Sequence, residues 1–202
     1  MNKKLLIIGC GDHGVVAANT ALLENKWKEI CFLDDKKKDK YKKYKIVGKA
    51  KDFKKFIPFW DNYFISIGDN LVRKKFFKTI TNKKKIINIV HPSVSIGQNF
   101  TMGNGNIILS NSVISDNINI GDANIINNLC SIDHDSKLKD FIHISPGVNI
   151  AGNVNINSET WIGLGSNIIN NIEIGKSVTV GAGSLVLKSI KSNKKVFGVP
   201  AK

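Results

Sequence analysis

From Val90 onward an aliphatic residue or methionine returns at every sixth position without a slip, through Ile96, Met102, Ile108 and Ile114 to Val180 and Val186. A period of six fits neither the 3.6-residue turn of a helix nor the two-residue alternation of one strand. It demands a short strand and a turn, repeated. Glycine commonly follows the aliphatic residue (Ile96-Gly97, Ile120-Gly121, Ile162-Gly163, Ile174-Gly175, Val180-Gly181), and four positions after it come small or β-branched residues such as Ser112, Val148, Val154, Ser166 and Val178. β-Branched residues suit strands, and Gly or Asn suit corners where φ is positive. Each hexad can bury its aliphatic side chain only if the chain coils so that these residues point to one axis, with successive coils paired as parallel strands about 4.8 Å apart. Residues 90–190 are therefore expected to form a parallel β-helix with no long loop inserted between coils, and residues 191–202 a C-terminal tail.

The pattern resembles the left-handed β-helix of the hexapeptide-repeat acyltransferases, in which three hexads make one triangular coil. Residues three hexads apart then stack. Asp133-His134-Asp135 breaks the run of small and aliphatic residues. With Ile132 inward, His134 lies near a corner, with Gly152 above it and Asp116 below. A glycine over a histidine leaves room and an exposed N–H beside an imidazole. Those are the parts of an acyl transfer: a base for the nucleophile's proton and a donor for the oxyanion. A histidine of ordinary pKa, near 6.5, is available as a base at cellular pH. Asp135 is positioned to hold its tautomer, the third-group role of triad chemistry. A surface histidine on a turn would account for the same residues.

Residues 1–89 read differently. Leu5–Ile8 is a buried strand running into Gly9-Cys10-Gly11-Asp12-His13-Gly14 and an apolar helix over Val15–Leu23. This glycine pattern lies in the strand–turn–helix setting that offers backbone N–H groups to an anion. A second strand, Ile30–Leu33, ends at Asp34-Asp35, an acidic pair suited to a ribose or base. A third, Tyr63–Ile67, passes through Gly68-Asp69-Asn70 into a helix over Leu71–Ile80. Alternating βα units imply a small Rossmann-like parallel sheet with ligands at the carboxyl ends of its strands. With about 90 residues the second mononucleotide half of a full dinucleotide fold is missing, so a nucleotide sugar is the expected ligand and NAD the weaker alternative. The fold class is α/β plus all-β, a parallel βα domain followed by a left-handed parallel β-helix.

Charge is uneven. Residues 1–89 hold 22 Lys+Arg against 9 Asp+Glu, and residues 90–202 hold 8 against 7. Yet 29 of the 30 cations are lysine, and runs such as Lys36-Lys37-Lys38 and Lys83-Lys84-Lys85 lack the arginines and interleaved aromatics of a nucleic-acid surface. No apolar run reaches the roughly 18–20 residues that cross a bilayer. The opening residues lack a signal peptide's apolar core, so the expected location is the cytoplasm. Cys10, Cys31 and Cys130 match no zinc or CxxC spacing, and neither a disulfide nor a metal is expected.

The chain as a whole resembles the bacterial nucleotide-sugar N-acetyltransferases that acetylate a UDP-4-amino sugar, and their sialic acid O-acetyltransferase relatives. The likeness lies in the glycine motif, Phe32-Leu33-Asp34-Asp35, Ile67-Gly68-Asp69-Asn70 with Arg73-Lys74-Lys75, His91-Pro92, His134-Asp135, His143, Ala151-Gly152-Asn153-Val154 and Gly198-Val199-Pro200-Ala201-Lys202. It implies that His134 is the general base for the sugar 4-amine, supported by Asp135, with Asn127 near the amino sugar. It places His143, Ala151, Gly152 and Gly181 along an acetyl-CoA channel. Gly11, Asp12 and His13 would meet the diphosphate, Asp34, Asp35 and Lys36 the uracil and ribose, and Gly68 would be a further substrate-binding residue. Two departures stand out: Asp135 where the family commonly has Glu, and Asp12 where it has Ser or Gly. The resemblance further implies a homotrimer with sites between neighbouring β-helices, with acetyl-CoA and a nucleotide-linked amino sugar as partners and neither nucleic acid nor membrane. Two alternatives remain open: O-acetylation of a sugar or sialic acid, and a non-catalytic nucleotide-binding scaffold.

Overall fold

The computed structural model describes residues 3–80 and 85–202; Lys83 and Lys84 of the second lysine run lie outside them. The chain divides into two compact units, Met1–Ile89 and Val90–Lys202.

Among the described residues, the first unit is a five-stranded sheet with two α-helices and two short 3₁₀ helices, Ala50–Lys55 and Ile57–Phe59. Strand β1 (Lys3–Ile8) sits between β5 (Asn62–Ile65) and β2 (Trp27–Leu33), parallel to both, and β2 pairs in parallel with β4 (Tyr44–Gly48). The run Leu5-Leu6-Ile7-Ile8 is wholly buried, as a central strand covered on both faces requires. The sheet is not purely parallel. A short edge strand, β3 (Lys40–Tyr41), pairs antiparallel with β4 through a tight turn in which Lys42 takes φ +51°. This hairpin lies in a lysine-rich stretch whose charge masks its two-residue strand. Helix α1 (Asp12–Leu22) begins inside the glycine motif, three residues before the expected start, because Gly11 serves as N-cap and Asp12 fits the electropositive first turn. Helix α2 (Asn70–Thr79) is capped by Asp69, whose Oδ1 accepts from the Val72 amide at 2.8 Å.

The second unit is the left-handed parallel β-helix, built from two-residue strands in three parallel sheets of seven, six and five strands. Ile114 pairs with Ile96 below and Ile132 above, Ile120 with Met102 and Leu138, and Ile126 with Ile108 and Ile144. Each coil therefore takes three hexads. From Ile108 to Val186 every member of the sixfold series is buried, whereas Ile96, on the first coil, is 41% exposed because no rung lies beneath it. Corners recur with the same period. Every sixth residue from Asn99 to Gly183 has positive φ; Asn and Gly hold most of these places, but Ala123, Leu129, Phe141 and Glu159 adopt the same conformation. A left-handed φ costs such residues about 1–2 kcal/mol each, and stacked coils above and below impose it. The buried residues four places after the inward aliphatics tie rungs together. Ser112 Oγ, for example, donates to the Asn127 carbonyl at 2.8 Å and accepts from the Cys130 amide at 3.3 Å.

The last coil shortens. Ile190 bridges to Ile174 and Val196 pairs with Val180, two places short of the full three-hexad offset. Residues 191–202 are thus no loose tail: Lys195–Val196 adds a rung, and Leu185, Phe197, Gly198, Ala201 and Lys202 close the end with backbone hydrogen bonds. No helix among the described residues is long and apolar enough to cross a membrane.

Ile144 is fully buried in the central column. Ile144→Ala should cost about 2–5 kcal/mol of unfolding free energy in urea; a loss under about 1 kcal/mol would show that this column is not the stabilising core.

Candidate active site

The strand Ser131–Ile132 ends with Ile132 inward, and the next corner exposes three polar residues. Asp133 Oδ1 accepts the His134 amide at 2.9 Å, fixing the turn. Asp135 occupies the left-handed corner position, φ +61°. From there its Oδ2 meets His134 Nδ1 at 2.8 Å, so the shorter aspartate does reach the ring. An ionised carboxylate can only accept. Nδ1 therefore carries the proton, and in the neutral ring Nε2 keeps a lone pair facing outward, 3.9 Å from Asp133 Oδ2. The Asp135 hydrogen bond, followed by the negative charge of Asp133, raises the His134 pKa above its ordinary value. The hydrogen bond from His134, then one from Asn117, lowers that of Asp135.

Gly152 lies over the ring. A Cβ there would stand 2.7 Å from both Cε1 and Nε2 of His134, so this place admits only glycine while the ring keeps its position. Below, the Asp116 carbonyl accepts the Asp135 amide at 3.1 Å. Beside this corner, Ser131, Asn149, Ala151, Asn167 and Ile169 line a shallow open groove of about 520 Å³.

His143 and Asn127 form a second cluster, on the seven-stranded sheet. Asn127 Nδ2 stands 3.0 Å from His143 Nε2, and the imidazole stacks on the Trp161 ring at 5.9 Å with 19° between planes. Trp161 Nε1 donates to Ser145 Oγ at 2.9 Å. Trp161 escaped the sequence reading, although stepping three hexads on from His143 finds it. Gly181 lies in a third place, beneath Phe197, whose Cδ1 would be 2.9 Å from a Cβ at position 181. Within one chain the structure joins His134, Asp135 and Gly152, and joins Asn127 and His143 separately.

In the first unit, Gly11 is exposed with nothing within 4 Å of where its Cβ would be, and Gly68 is equally open. Gly14 is closed: a Cβ would collide with the Gly9 carbonyl and stand 2.9 Å from Ser66 Oγ. Asp12 Oδ1 accepts from Tyr41 Oη at 3.0 Å and pairs with Lys42 Nζ at 3.1 Å, which lowers its pKa. Asp34 serves as a strut. Its Oδ2 accepts from the Cys10 amide and its Oδ1 from the Lys36 and Lys37 amides, at 2.8–2.9 Å. Asp35 is exposed and spends Oδ1 on the Lys51 amide at 3.1 Å. Asp34, Asp35, Lys37, Gly48 and Lys49 border an open pocket of about 260 Å³. The exposed Lys36 contributes its amide to Asp34, while Lys37 donates from Nζ to the Cys10 carbonyl at 2.6 Å.

His13 does not share the exposure of Gly11 and Asp12. Its Nε2 is shut off from solvent without a hydrogen-bond partner, and burial, followed by the charge of Arg73, pulls its pKa down to about 4. Arg73, itself buried, donates from Nη1 to the carbonyls of Ile67 and Gly68 at 2.8 and 2.9 Å. Among the described residues, no group of three or more His, Cys, Asp or Glu is placed to hold a metal ion.

Comparison with known proteins gives both units relatives. Residues 4–80 match the family model of the PglD N-terminal domain. Over the full length, the chain is similar to the acetyltransferase domain of PglB from Neisseria gonorrhoeae, solved in complex with acetyl coenzyme A: 29% identity, TM-score 0.93, with 100% of this chain and 99% of that one covered. It is also similar to a histidine-to-asparagine variant of perosamine N-acetyltransferase from Caulobacter crescentus, solved with CoA and GDP-perosamine: 26% identity, TM-score 0.88, with 98% and 95% covered. WeeI from Acinetobacter baumannii shares the fold at 21% identity, TM-score 0.86, with 98% of both chains covered.

The enclosure of the His13 Nε2 has a measurable consequence. The folded chain keeps this ring neutral down to about pH 4, whereas the unfolded chain protonates it near 6.5. Between these values the unfolded state binds more protons, so stability is full above pH 6.5 and falls as pH drops towards 4, by up to about 3 kcal/mol. His13→Asn should flatten that part of the stability–pH curve, measured by urea unfolding at several pH values. An unchanged slope would mean the ring is not held neutral.

Proposed function

We propose a reaction for this chain, which belongs with the nucleotide-sugar N-acetyltransferases of the hexapeptide-repeat acyltransferase superfamily: transfer of the acetyl group of acetyl-CoA to the 4-amino group of a nucleotide-linked amino sugar, supplying a component of surface glycans. The observation that carries this reading is the oriented His134–Asp135 pair with Gly152 stacked over the ring. The neutral amine attacks the thioester carbonyl and a C–N bond forms. His134 Nε2 takes the proton that the amine must lose, and Asp135 stabilises the resulting imidazolium. The Gly152 amide serves as donor to the carbonyl oxygen as it gains charge. Collapse of the tetrahedral intermediate breaks the C–S bond, and the imidazolium returns its proton to the departing CoA sulfur. The products are the acetamido sugar and free CoA.

In this reading Asn127 contacts the amino sugar, and His143, Ala151, Gly152 and Gly181 border acetyl-CoA. The Asn127–His143 cluster lies on the seven-stranded sheet, whereas the His134 corner follows a strand of the six-stranded sheet. A homotrimer, in which one chain's His134 corner meets another chain's His143 face, is the assembly that unites them. The open Gly11 and Gly68 backbone receives the diphosphate, with His13 shaping the loop from beneath. Exposed Asp35 and Lys36 meet the base and ribose, while Asp34 holds the loop that presents them. UDP is the proposed nucleotide because of the Asp34-Asp35-Lys36 strand end; GDP, present in the perosamine N-acetyltransferase complex, is the competitor.

A panel of UDP-, dTDP- and GDP-linked 4-amino sugars with acetyl-CoA and a thiol reagent tests the reading, with the UDP sugar expected to give the highest kcat/KM. Silence across the panel, or activity only on free sialic acid, would refute it. His134→Ala should lower kcat by about 10²-fold or more without disturbing the trimer in sedimentation. Because the His134 pKa is raised, the parent's kcat/KM should rise with pH through a midpoint above 6.5, and His134→Ala should abolish that rise.

A further inference from the structure

We propose that Asn117 is a positioning residue that fixes the Asp135 carboxylate and, through it, the proton-accepting nitrogen of His134; this rests on the reading of His134 as general base. Asn99, Asn117 and Asp135 follow one another at three-hexad intervals and occupy the same corner, with φ of +54°, +59° and +61°. They form a ladder on the outside of the coils. Asn99 Nδ2 donates to Asn117 Oδ1 at 2.9 Å, and Asn117 Nδ2 donates to Asp135 Oδ1 at 3.0 Å. Asp135 Oδ2 then accepts the hydrogen bond from His134 Nδ1 at 2.8 Å.

The direction of the ladder follows from its top. A carboxylate accepts and never donates, so Asn117 must turn its NH₂ group upward, and its oxygen then faces the amide of Asn99. The consequence falls on the carboxylate. His134 and Asp135 expose more than half of their side chains, so water competes for a lone hydrogen bond between them. With a donor on each oxygen from a different direction, the carboxylate cannot rotate without losing one. The second donor thus selects the rotamer that reaches the imidazole, and the left-handed backbone at 135 supplies the angle that lets a side chain one methylene shorter than Glu do it. Three carboxylates surround the ring: Asp133, Asp116 and Asp135. Of these, Asp135 alone hydrogen-bonds Nδ1. If Asp135 swings away, the neutral ring is free to carry its proton on Nε2, where it cannot serve as a base.

The test begins without substrate. The His134 titration is followed by NMR in the parent and in Asn117→Gly, which keeps the positive φ, in Asp135→Asn, and in the double variant; His134→Gln assigns the signal. Asn117→Gly should move the His134 midpoint down towards 6.5, and should have no further effect once Asp135 is already Asn, since the two act along one line. In acetyl transfer, Asn117→Gly should lower kcat by about 3- to 10-fold with both KM values unchanged. Asn117→Asp, which has nearly the same shape and tolerates the same φ, replaces the donor by an acceptor, and its kcat should fall at least as far. A parental titration in Asn117→Gly, or equal effects with and without Asp135, would overturn the proposal. A parent enzyme that shows the coupling by NMR yet acetylates nothing in the panel would instead overturn the proposed reaction.

Discussion

The parallel pairing of each strand with the strands three hexads before and after it sets what every other residue of the β-helix meets. Pairing at that offset turns the chain into columns, and each column has one physical task. The inward column excludes water with Ile, Leu, Val and Met. The corner column takes left-handed φ at every sixth residue. Four places after the aliphatics, Ile118, Ile142, Val148, Val154, Ile172 and Val178 join the apolar core, while the hydroxyls and amides among them satisfy buried backbone groups, as Asn106 Oδ1 does for the Asn124 amide at 2.8 Å and Asn124 Oδ1 for the Ile142 amide at 2.7 Å. Such groups are costly to bury unpaired, so these ladders support the fold together with the apolar column.

The proposed catalytic corner lies where a column departs from its task. At three places two residues after the inward aliphatic, a carboxylate caps an amide one coil below: Asp116 Oδ1 takes the Gln98 amide, Asp122 the Asn104 amide, and Asp140 the Asp122 amide, at 2.6–2.8 Å. Glycines 97, 103 and 121 exist to make room for these carboxylates, since a Cβ at each would collide with the Asp oxygen above. His134 and Gly152 are the next two members of the Gln98–Asp116 column. There the capping carboxylate is given up for an imidazole, and the place above it is vacated. The frequent glycines after the aliphatic residues are therefore architectural, whereas Gly152, out of phase with them, leaves space around the His134 ring.

The two units differ in how far their residues announce this. The hexad phase locates Ile132 inward and His134 outward, and counting three hexads on finds Gly152, because in a β-helix sequence separation converts directly into spatial neighbourhood. The same counting reaches Trp161 from His143 and Asn117 from Asp135. It fails at the last coil, where the offset shortens and the repeat passes from Ile174 to Ile190 and from Val180 to Val196. The first unit has no such ruler. Its central strands and both helices are legible from apolar runs, Gly9–Gly14 and the Asp69 cap. The β3–β4 hairpin is hidden among lysines, and nothing in Gly11-Asp12-His13-Gly14 distinguishes the side chain that turns outward from the one that turns inward.

That last ambiguity has a physical resolution. A helix N-terminus whose amides await an anion tolerates an aspartate poorly if the aspartate competes for the same place. Asp12 does not: Lys42 and Tyr41 of the hairpin hold its carboxylate at 3.1 and 3.0 Å, leaving the space beside the Gly11 backbone open. The pair is exposed, so it stabilises the fold little and its partners remain free to rearrange. His13 has the opposite arrangement. Half-buried, with Nε2 shut off from solvent and the charge of Arg73 acting on it, the ring stays neutral down to about pH 4 and adds no second charge to the loop's underside. In the proposed reading, the positive potential offered to a diphosphate at this loop therefore comes from the open backbone amides and the first turn of α1, rather than from a protonated histidine.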